Sequence, residues 1–313
     1  MDKPLVSIII PVFNRADIIC NTLDSILRQT YTNTEIVVVD DGSTDKISEV
    51  IGDYIKRYGK DKVIYIYQDN AGPSFARNRG LHECHGELVC FFDSDDIMMP
   101  ERIEKQTLEM IKQHSDLCLA GIHYMNRDKD IIPSLVIDSE FVHSFILNKN
   151  DVFMGTQGWL FKRNILLKIK GYDEKLRNYE DCDLVFRYIA SQDNLKLSII
   201  PSVLTLYNDD NRNDRLTNIK NSANEHFQNG FITFYSRVIE YSIAKSIGDS
   251  IIYNYKLFLK FKAKYYTCLS FTSKMKMKSI GMLIASYSKN IYVKYYFYYL
   301  ILRILYVLKN GKK

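Results

Sequence analysis

Four continuous apolar runs rich in β-branched residues lie in the first third of the chain, at residues 5–13, 35–40, 63–67 and 87–93. Continuous runs, unlike alternating ones, are typical of strands covered on both faces. Residues 19–27 and 47–55, between these runs, carry apolar side chains at helical spacing. The alternation of strands and helices predicts a parallel sheet with right-handed crossovers.

Polar clusters follow three of the predicted strands: "PVFNR" after the first, "DDGSTD" after the second and "DSDD" after the fourth. Ligands of parallel sheets bind at the carboxyl ends of the strands, so we expect these clusters to lie close together. A further segment, "QDNAGPSFARNRG" at 68–80, follows the third strand. It should open a helix whose free N–H groups point toward the same crevice.

The fourth strand ends in three crowded acids, Asp93, Asp95 and Asp96. Like charges this close are unfavourable unless a positive group lies among them. Mg²⁺ and Mn²⁺ prefer such oxygen ligands, so a divalent cation is one explanation. The alternative is that Asp96 caps a helix with Pro100 in its first turn, which would account for only one of the acids.

The middle of the chain carries a weaker pattern. It predicts a helix after Pro100, a strand at 116–125, a strand followed by a short helix within 155–172, and a helix beginning near Glu180. Trp159, the only tryptophan, lies in this part of the chain. It could cover the apolar face of a sugar or be an ordinary core residue.

Five segments together resemble the ordered motifs of the family 2 glycosyltransferases: "PVFN" at 11–14, "DDGSTD" at 40–45, "NAGPSFARNRG" at 70–80, "FFDSDD" at 91–96 and "NYEDCDLVFR" at 178–187. The resemblance covers residues 4–215. It implies a GT-A fold, an α/β Rossmann-like architecture with a mainly parallel central sheet and flanking helices. It also implies a nucleoside-diphosphate-sugar donor, most often a UDP-sugar, a Mn²⁺ or Mg²⁺ ion, and inversion at the anomeric carbon.

The resemblance also implies roles for individual residues. It assigns the nucleotide site to Pro11, Phe13, Asn14, Asp40, Gly72, Arg77 and Asp93. In this set Asp40 would contact the base and Arg77 the phosphates, while Asp93 and Asp95 would hold the metal. Asp181 matches the catalytic base, and Glu180 beside it would bind or orient the acceptor, with Trp159 as a candidate wall of that site. The alternative for Asp181 and Glu180 is the start of a helix, where acids suit the dipole.

The chain departs from the family pattern at one place. Some members have a metal-binding His after the base, whereas "YNDDNRNDRLT" at 207–217 contains none. Asp209, Asn211 or Arg215 could close over the donor instead.

The chain divides into a predicted catalytic domain at 1–218, with a nucleotide-binding half at 1–100 and an acceptor-binding half at 101–218, and a helical region at 219–313. Residues 250–313 contain 13 Lys and Arg and no Asp or Glu. The aromatic and aliphatic run at 291–308 is interrupted by Lys294 and Arg303, so it is too short to span a membrane. It suits a membrane surface instead, and packing on the catalytic domain or a second subunit is the alternative.

These features together predict a hexosyltransferase or N-acetylhexosaminyltransferase that acts on a glycan or polyprenol-linked acceptor in surface polysaccharide synthesis. Six scattered cysteines without a C-x-x-C pair indicate a reducing compartment, and hence a cytoplasmic protein. Together with the basic C-terminal region, this predicts a location at the inner face of the plasma membrane. No nucleic-acid partner is expected, and a homo-oligomer is possible. A nucleotide-sugar-binding protein without catalysis is the alternative, whereas a dinucleotide-dependent oxidoreductase would need a G-x-G-x-x-G that this chain lacks after its first strand.

Overall fold

The computed structural model describes residues 3–133, 155–210, 225–245, 248–265, 271–288, 291–292, 295 and 299–300. The chain forms two compact units. The first contains residues 1–141, 148–175 and 180–212, and the second contains residues 142–147, 176–179 and 213–313. The predicted boundary between residues 218 and 219 lies outside the described residues.

The first unit combines strands and helices. Its described strands are β1 (Val6–Val12), β2 (Thr34–Asp41), β3 (Val63–Gln68), β4 (Leu88–Phe91), β5 (Ile97–Met98), β6 (Leu117–Tyr124), β7 (Lys129–Ile131), β8 (Trp159–Lys162) and β9 (Leu197–Tyr207). Its described helices are α1 (Ile19–Leu27), α2 (Ile47–Tyr58), α3 (Pro73–Glu83), α4 (Arg102–Gln113), α5 (Arg163–Lys168) and α6 (Glu180–Ala190). A short 3-10 turn, Thr156–Gly158, precedes β8.

One sheet joins the strands in the order β3-β2-β1-β4-β8-β6-β9-β5, and β7 pairs with β6. The first four strands of this order are parallel, as the sequence predicts. Strand β8 runs antiparallel to both β4 and β6, and β9 is parallel to β6. The predicted α/β fold with a central sheet and flanking helices is therefore confirmed. Of the described strand pairs, four are parallel and four are antiparallel.

The core surrounds β1 and β2, because their continuous apolar runs present buried side chains to both faces of the sheet. Ile8, Ile9 and Ile10 have no solvent exposure. Helix α3 packs closely on this sheet through Gly80, where an added Cβ atom would overlap the side chain of Ile9. This close approach holds α3, and with it Arg77, beside the strand ends.

The helix after the acidic cluster begins later than predicted. It starts at Arg102, with Glu101 in the cap position and no side-chain capping hydrogen bond. Strand β5 separates Asp96 from this helix, so the interpretation of Asp96 as its cap is wrong. Instead, Asp96 is fully buried and its Oδ1 accepts a hydrogen bond of 2.8 Å from the backbone N–H of Asn208.

The described C-terminal part of the second unit is mainly helical, as predicted. It contains α7 (Glu225–Ala244), α8 (Gly248–Tyr265) and α9 (Phe271–Tyr287). Buried side chains from all three helices, including Ile232, Phe258 and Ile284, form one apolar cluster. Within the described residues, no helix is long and apolar enough to cross a membrane. Most of the run at 291–308, including Lys294 and Arg303, lies outside the described residues.

Candidate active site

The polar clusters at the strand ends meet in space, as the parallel topology predicts. The backbone N–H of Asn14, after β1, donates to Ser43 Oγ at 2.9 Å. The Asn14 Oδ1 accepts from the N–H of Thr44 at 2.8 Å, and Asn14 itself has a positive φ of 51°. These two bonds join the loop after β1 to the loop after β2.

The two acids at the end of β2 are buried and shape the neighbouring loops. Asp40 is 1% exposed, and its two carboxylate oxygens accept hydrogen bonds from the Ser43 N–H (2.9 Å) and the Tyr65 hydroxyl (2.6 Å). Asp41 Oδ2 accepts from the N–H of Gly72 at 2.8 Å, which holds the residue preceding α3. The contact of Asp40 with a donor base stays a prediction.

Phe13 is an exposed aromatic residue at this edge of the sheet. Its side chain is 46% exposed directly after β1, where a planar base could stack on it. Pro11 is half-buried within β1, opposite Val39 of β2. Their place at the carboxyl ends of adjacent strands is compatible with the predicted nucleotide site.

The acidic cluster after β4 has the geometry of a cation site. Asp93, Asp95 and Asp96 each offer one carboxylate oxygen within 4.8 Å of the others. Hard carboxylate oxygens at this spacing fit a divalent cation such as Mg²⁺ or Mn²⁺. Asp96 thus joins the two predicted ligands, Asp93 and Asp95, as a third candidate.

A positive group already lies beside these acids. The buried side chain of Arg77 donates from Nη2 to Asp93 Oδ1 at 2.9 Å. Its Nη1 lies 3.7 Å from Glu180 Oε1 and 3.8 Å from Asp181 Oδ1. The guanidinium also packs over the ring of Tyr172, 5.1 Å from its centroid. Arg77 therefore links the acidic cluster to the candidate base, and its contact with donor phosphates stays a prediction.

The candidate base, Asp181, lies in the first turn of α6. Asp181 Oδ1 accepts hydrogen bonds from the Tyr172 hydroxyl (3.1 Å) and the Thr156 hydroxyl (3.3 Å), and no described residue bonds to Oδ2. Burial raises the pKa of Asp181, although Arg77 opposes the shift. Burial, and then the charge of Asp181, raises the pKa of Glu180 to about 7. Burial thus makes both carboxyl groups bind a proton more tightly than an exposed acid does, which suits a group that takes up a proton.

Comparison with known proteins identifies the family. The profile described as "Glycosyl transferase family 2" matches residues 7–170 of this chain. The chain belongs to glycosyl transferase family 2. An uncharacterized glycosyltransferase of Haemophilus influenzae is 30% identical over 266 residues, which are 84% of this chain and the whole of that protein. TuaG of Bacillus subtilis, assigned to teichuronic acid biosynthesis, is 36% identical over 126 residues, 40% of this chain and 50% of TuaG.

Two solved structures share the GT-A fold. Residues 1–349 of TarS from S. aureus, in complex with UDP-GlcNAc, align with a TM-score of 0.65 and 17% identity over 92% of this chain and 82% of that chain. The mannosyltransferase PcManGT of Pyrobaculum calidifontis, in complex with GDP-Man and Mn²⁺, aligns with a TM-score of 0.54 and 17% identity over 98% of this chain and 88% of that chain. The sequence-based assignment of family and fold is therefore confirmed.

The structure also bears on the roles predicted for Trp159 and Asp209. Trp159 is fully buried in β8 and stacks on Phe161 with a centroid distance of 6.1 Å, so its interpretation as an acceptor wall is wrong. It has no exposed surface that a sugar could cover. Asp209, a candidate for closing over the donor, instead forms an ion pair with Arg127 at 2.8 Å. The other two candidates, residues 211 and 215, lie outside the described residues.

Sequence reasoning missed three polar residues of this candidate site: Thr156, Gln157 and Tyr172. Gln157 Nε2 donates to Asp93 Oδ2 at 2.6 Å, while Thr156 and Tyr172 contact Asp181. The sequence feature that could have indicated Thr156 and Gln157 is a polar pair shortly before an apolar strand, in "GTQGWLF". Local pattern alone does not distinguish such a pair from an ordinary turn.

Proposed function

We propose that the chain transfers a sugar from a UDP-sugar to a hydroxyl of a glycan or lipid-linked acceptor in surface polysaccharide synthesis, with inversion and with a divalent metal. The observation that carries this proposal is the position of Arg77, whose guanidinium lies 2.9 Å from Asp93 of the acidic cluster and 3.8 Å from Asp181. The complex of TarS with UDP-GlcNAc supports the donor class, and the assignment of TuaG to teichuronic acid biosynthesis supports the type of product.

Asp181 would act as the general base. Its Oδ1 is held by two hydroxyl groups, so Oδ2 can accept the proton of the acceptor hydroxyl. The acceptor oxygen, as it loses its proton to Oδ2, attacks the anomeric carbon from the face opposite the nucleotide. The bond to the diphosphate breaks, the nucleoside diphosphate departs, and the configuration is inverted. Glu180, whose side chain is 15% exposed beside Asp181, would orient the acceptor.

Asp93 and Asp95, with Asp96 beside them, would hold Mn²⁺ or Mg²⁺. When bound, such an ion stabilises the negative charge that develops on the departing diphosphate. The complex of PcManGT with GDP-Man and Mn²⁺ supports a metal at this kind of site. Arg77 and Gln157 orient the Asp93 carboxylate by bonding one oxygen each.

A calorimetric screen of UDP-, GDP- and dTDP-sugars with Mn²⁺ tests the donor and metal together. We expect a UDP-sugar to bind and to be turned over. Asp181→Asn should then abolish transfer while the dissociation constant of the donor stays unchanged. The surface variant Asp53→Asn is the matched control, because Asp53 is exposed on α2 and pairs only with Lys56 among the described residues.

Three outcomes would contradict all or part of this proposal. Donor binding without transfer by the wild type, over a broad panel of acceptors, would support a nucleotide-sugar-binding protein without catalysis. Transfer by Asp181→Asn at the wild-type rate would show that Asp181 is not the base. Failure of every nucleotide sugar to bind with Mn²⁺ would refute the proposed function itself.

We further propose a cytoplasmic protein whose second unit binds the anionic inner face of the plasma membrane. Helix α9 supports this, because Met275 (47% exposed) and Met282 (58% exposed) lie on its surface near exposed Lys274, Lys276 and Lys278. Apolar side chains among lysines suit an anionic lipid surface.

Co-sedimentation with vesicles tests the membrane proposal. The protein should bind vesicles containing phosphatidylglycerol and lose most of this binding in high salt or on pure phosphatidylcholine. Changing the three α9 lysines to glutamine should weaken binding, whereas Lys56→Gln on α2 should not. Equal sedimentation with neutral and anionic vesicles, or none with either, would contradict the proposal.

A further inference from the structure

The short turn before β8 places two adjacent side chains against two different carboxylates. Thr156 Oγ1 donates to Asp181 Oδ1 at 3.3 Å, and Gln157 Nε2 donates to Asp93 Oδ2 at 2.6 Å. Both residues are buried, with exposures of 1% and 3%. Hydrogen bonds from buried donors to carboxylates are stronger than bonds between neutral groups. One turn therefore contacts both the candidate metal site and the candidate base.

The backbone of this turn is held by neighbouring elements. Gln106 Nε2, from α4, donates to the Gly158 carbonyl at 3.0 Å, and Thr205 Oγ1, from β9, donates to the Gln157 carbonyl at 3.2 Å. A Cβ atom at position 158 would lie 2.7 Å from the carbonyl oxygen of Ala120 in β6. The turn is thus packed against three elements and cannot move without breaking these contacts.

The two carboxylates are constrained in different ways. Both oxygens of Asp93 accept hydrogen bonds, one from Arg77 and one from Gln157. These two bonds fix the orientation of the carboxylate plane. Asp181 is held through Oδ1 alone, by Thr156 and Tyr172, and no described residue bonds to Oδ2. Gln157 thus governs how Asp93 faces a bound cation, whereas Thr156 governs where the proton-accepting oxygen of Asp181 points.

We propose that Thr156 and Gln157 are positioning residues that act on separate steps of the transfer. Gln157 orients Asp93 for binding of the metal and the donor diphosphate, and Thr156 orients Asp181 for removal of the acceptor proton. This inference rests on the proposed function. Since the two residues are adjacent in one turn, general damage to the turn would affect both steps, whereas positioning separates them.

The test compares two near-isosteric substitutions. Gln157→Leu removes the amide donor and should raise the dissociation constant of UDP with Mn²⁺, measured by calorimetry, by about tenfold or more. Thr156→Val removes the hydroxyl and should leave that constant unchanged but lower kcat by about tenfold. The kcat is measured as UDP release from the UDP-sugar that the wild type turns over. Thr156→Ser keeps a hydroxyl and should restore most of the kcat.

Two controls match these changes. Thr107→Val removes a buried hydroxyl on α4 that has no hydrogen-bond partner among the described residues, and it should behave as the wild type. Gln113→Leu, which replaces an exposed glutamine on the same helix, is the control for Gln157→Leu. Thermal unfolding of every variant checks its fold. If Gln157→Leu does not fold, Gln157→Asn carries the same expectation, because its side chain is one methylene shorter.

The results separate this inference from the proposed function. If the wild type transfers sugar but both turn variants change binding and kcat in the same proportion, or change neither, the positioning roles are refuted. Thr156→Ser as impaired as Thr156→Val would refute the role of the hydroxyl. Absence of UDP binding by the wild type in the presence of Mn²⁺ would instead refute the proposed function.

Discussion

Replacing Arg77 by glutamine should destabilise the protein, and more so at high pH than at low pH. The guanidinium is 6% exposed and lies 2.9 Å from Asp93, 3.7 Å from Glu180 and 3.8 Å from Asp181. Its removal leaves three carboxyl groups close together without a cation among them. The electrostatic repulsion then opposes folding whenever these groups are ionised.

The magnitude follows from the burial of the partners. Removing one member of a buried ion pair costs about 3–5 kcal/mol in the free energy of unfolding. The three acids retain exposures between 15% and 29%, so water screens part of the repulsion. We therefore expect a loss of about 3 kcal/mol at pH 8.

The dependence on pH has a definite sign. Burial, and then the charge of Asp181, raises the pKa of Glu180 to about 7, so Glu180 is neutral in the folded protein at pH 5. Without Arg77 the pKa values of both acids rise further. The folded variant then binds more protons than its unfolded chain, and its stability falls as the pH increases. The deficit should accordingly be smaller at pH 5 than at pH 8.

Urea unfolding followed by circular dichroism at both pH values measures this deficit. Arg79→Gln is the control, because Arg79 lies on the same helix but is 56% exposed and pairs with exposed Glu83 at 3.1 Å. Its loss should cost less than about 1 kcal/mol. Equal losses in the two variants, or an Arg77→Gln deficit that does not change with pH, would refute the reasoning.

Three further predictions test the site and the core. The transfer rate should rise as the pH increases from acid, because the base must be ionised and burial raises the pKa of Asp181; a flat profile would contradict this. Gly80→Ala should cost about 1–3 kcal/mol through overlap with Ile9, whereas Gly52→Ala, with nothing within 4 Å, should stabilise by about 0.5–1 kcal/mol in the same thermal-unfolding assay. Glu35→Gln should cost about 1–3 kcal/mol at pH 7. Burial raises the pKa of Glu35, but hydrogen bonds from a hydroxyl and backbone N–H groups outweigh it and lower the pKa, so this deficit should shrink in acid.

The sequence by itself determined the nucleotide-binding half. Strands β1 to β4 and helices α1 and α2 match the predicted runs within a few residues, because side-chain period and β-branching are local properties. The positions of Asp93, Asp95 and Asp181 at a strand end and a helix start were also readable from these local patterns. Parallel pairing then implied that the loops after these strands would meet.

Only the tertiary structure decided which polar groups bond to one another. Gln157 reaches Asp93 across 64 residues, and Asn208 reaches Asp96 across 112. The sheet order brings these partners together through β8 and β9, whose places between β4 and β5 no local pattern reveals. The same packing put Trp159 in the core rather than beside a sugar. A local pattern sets the face and period of an element, whereas the partner of a buried polar group depends on which distant element packs against it.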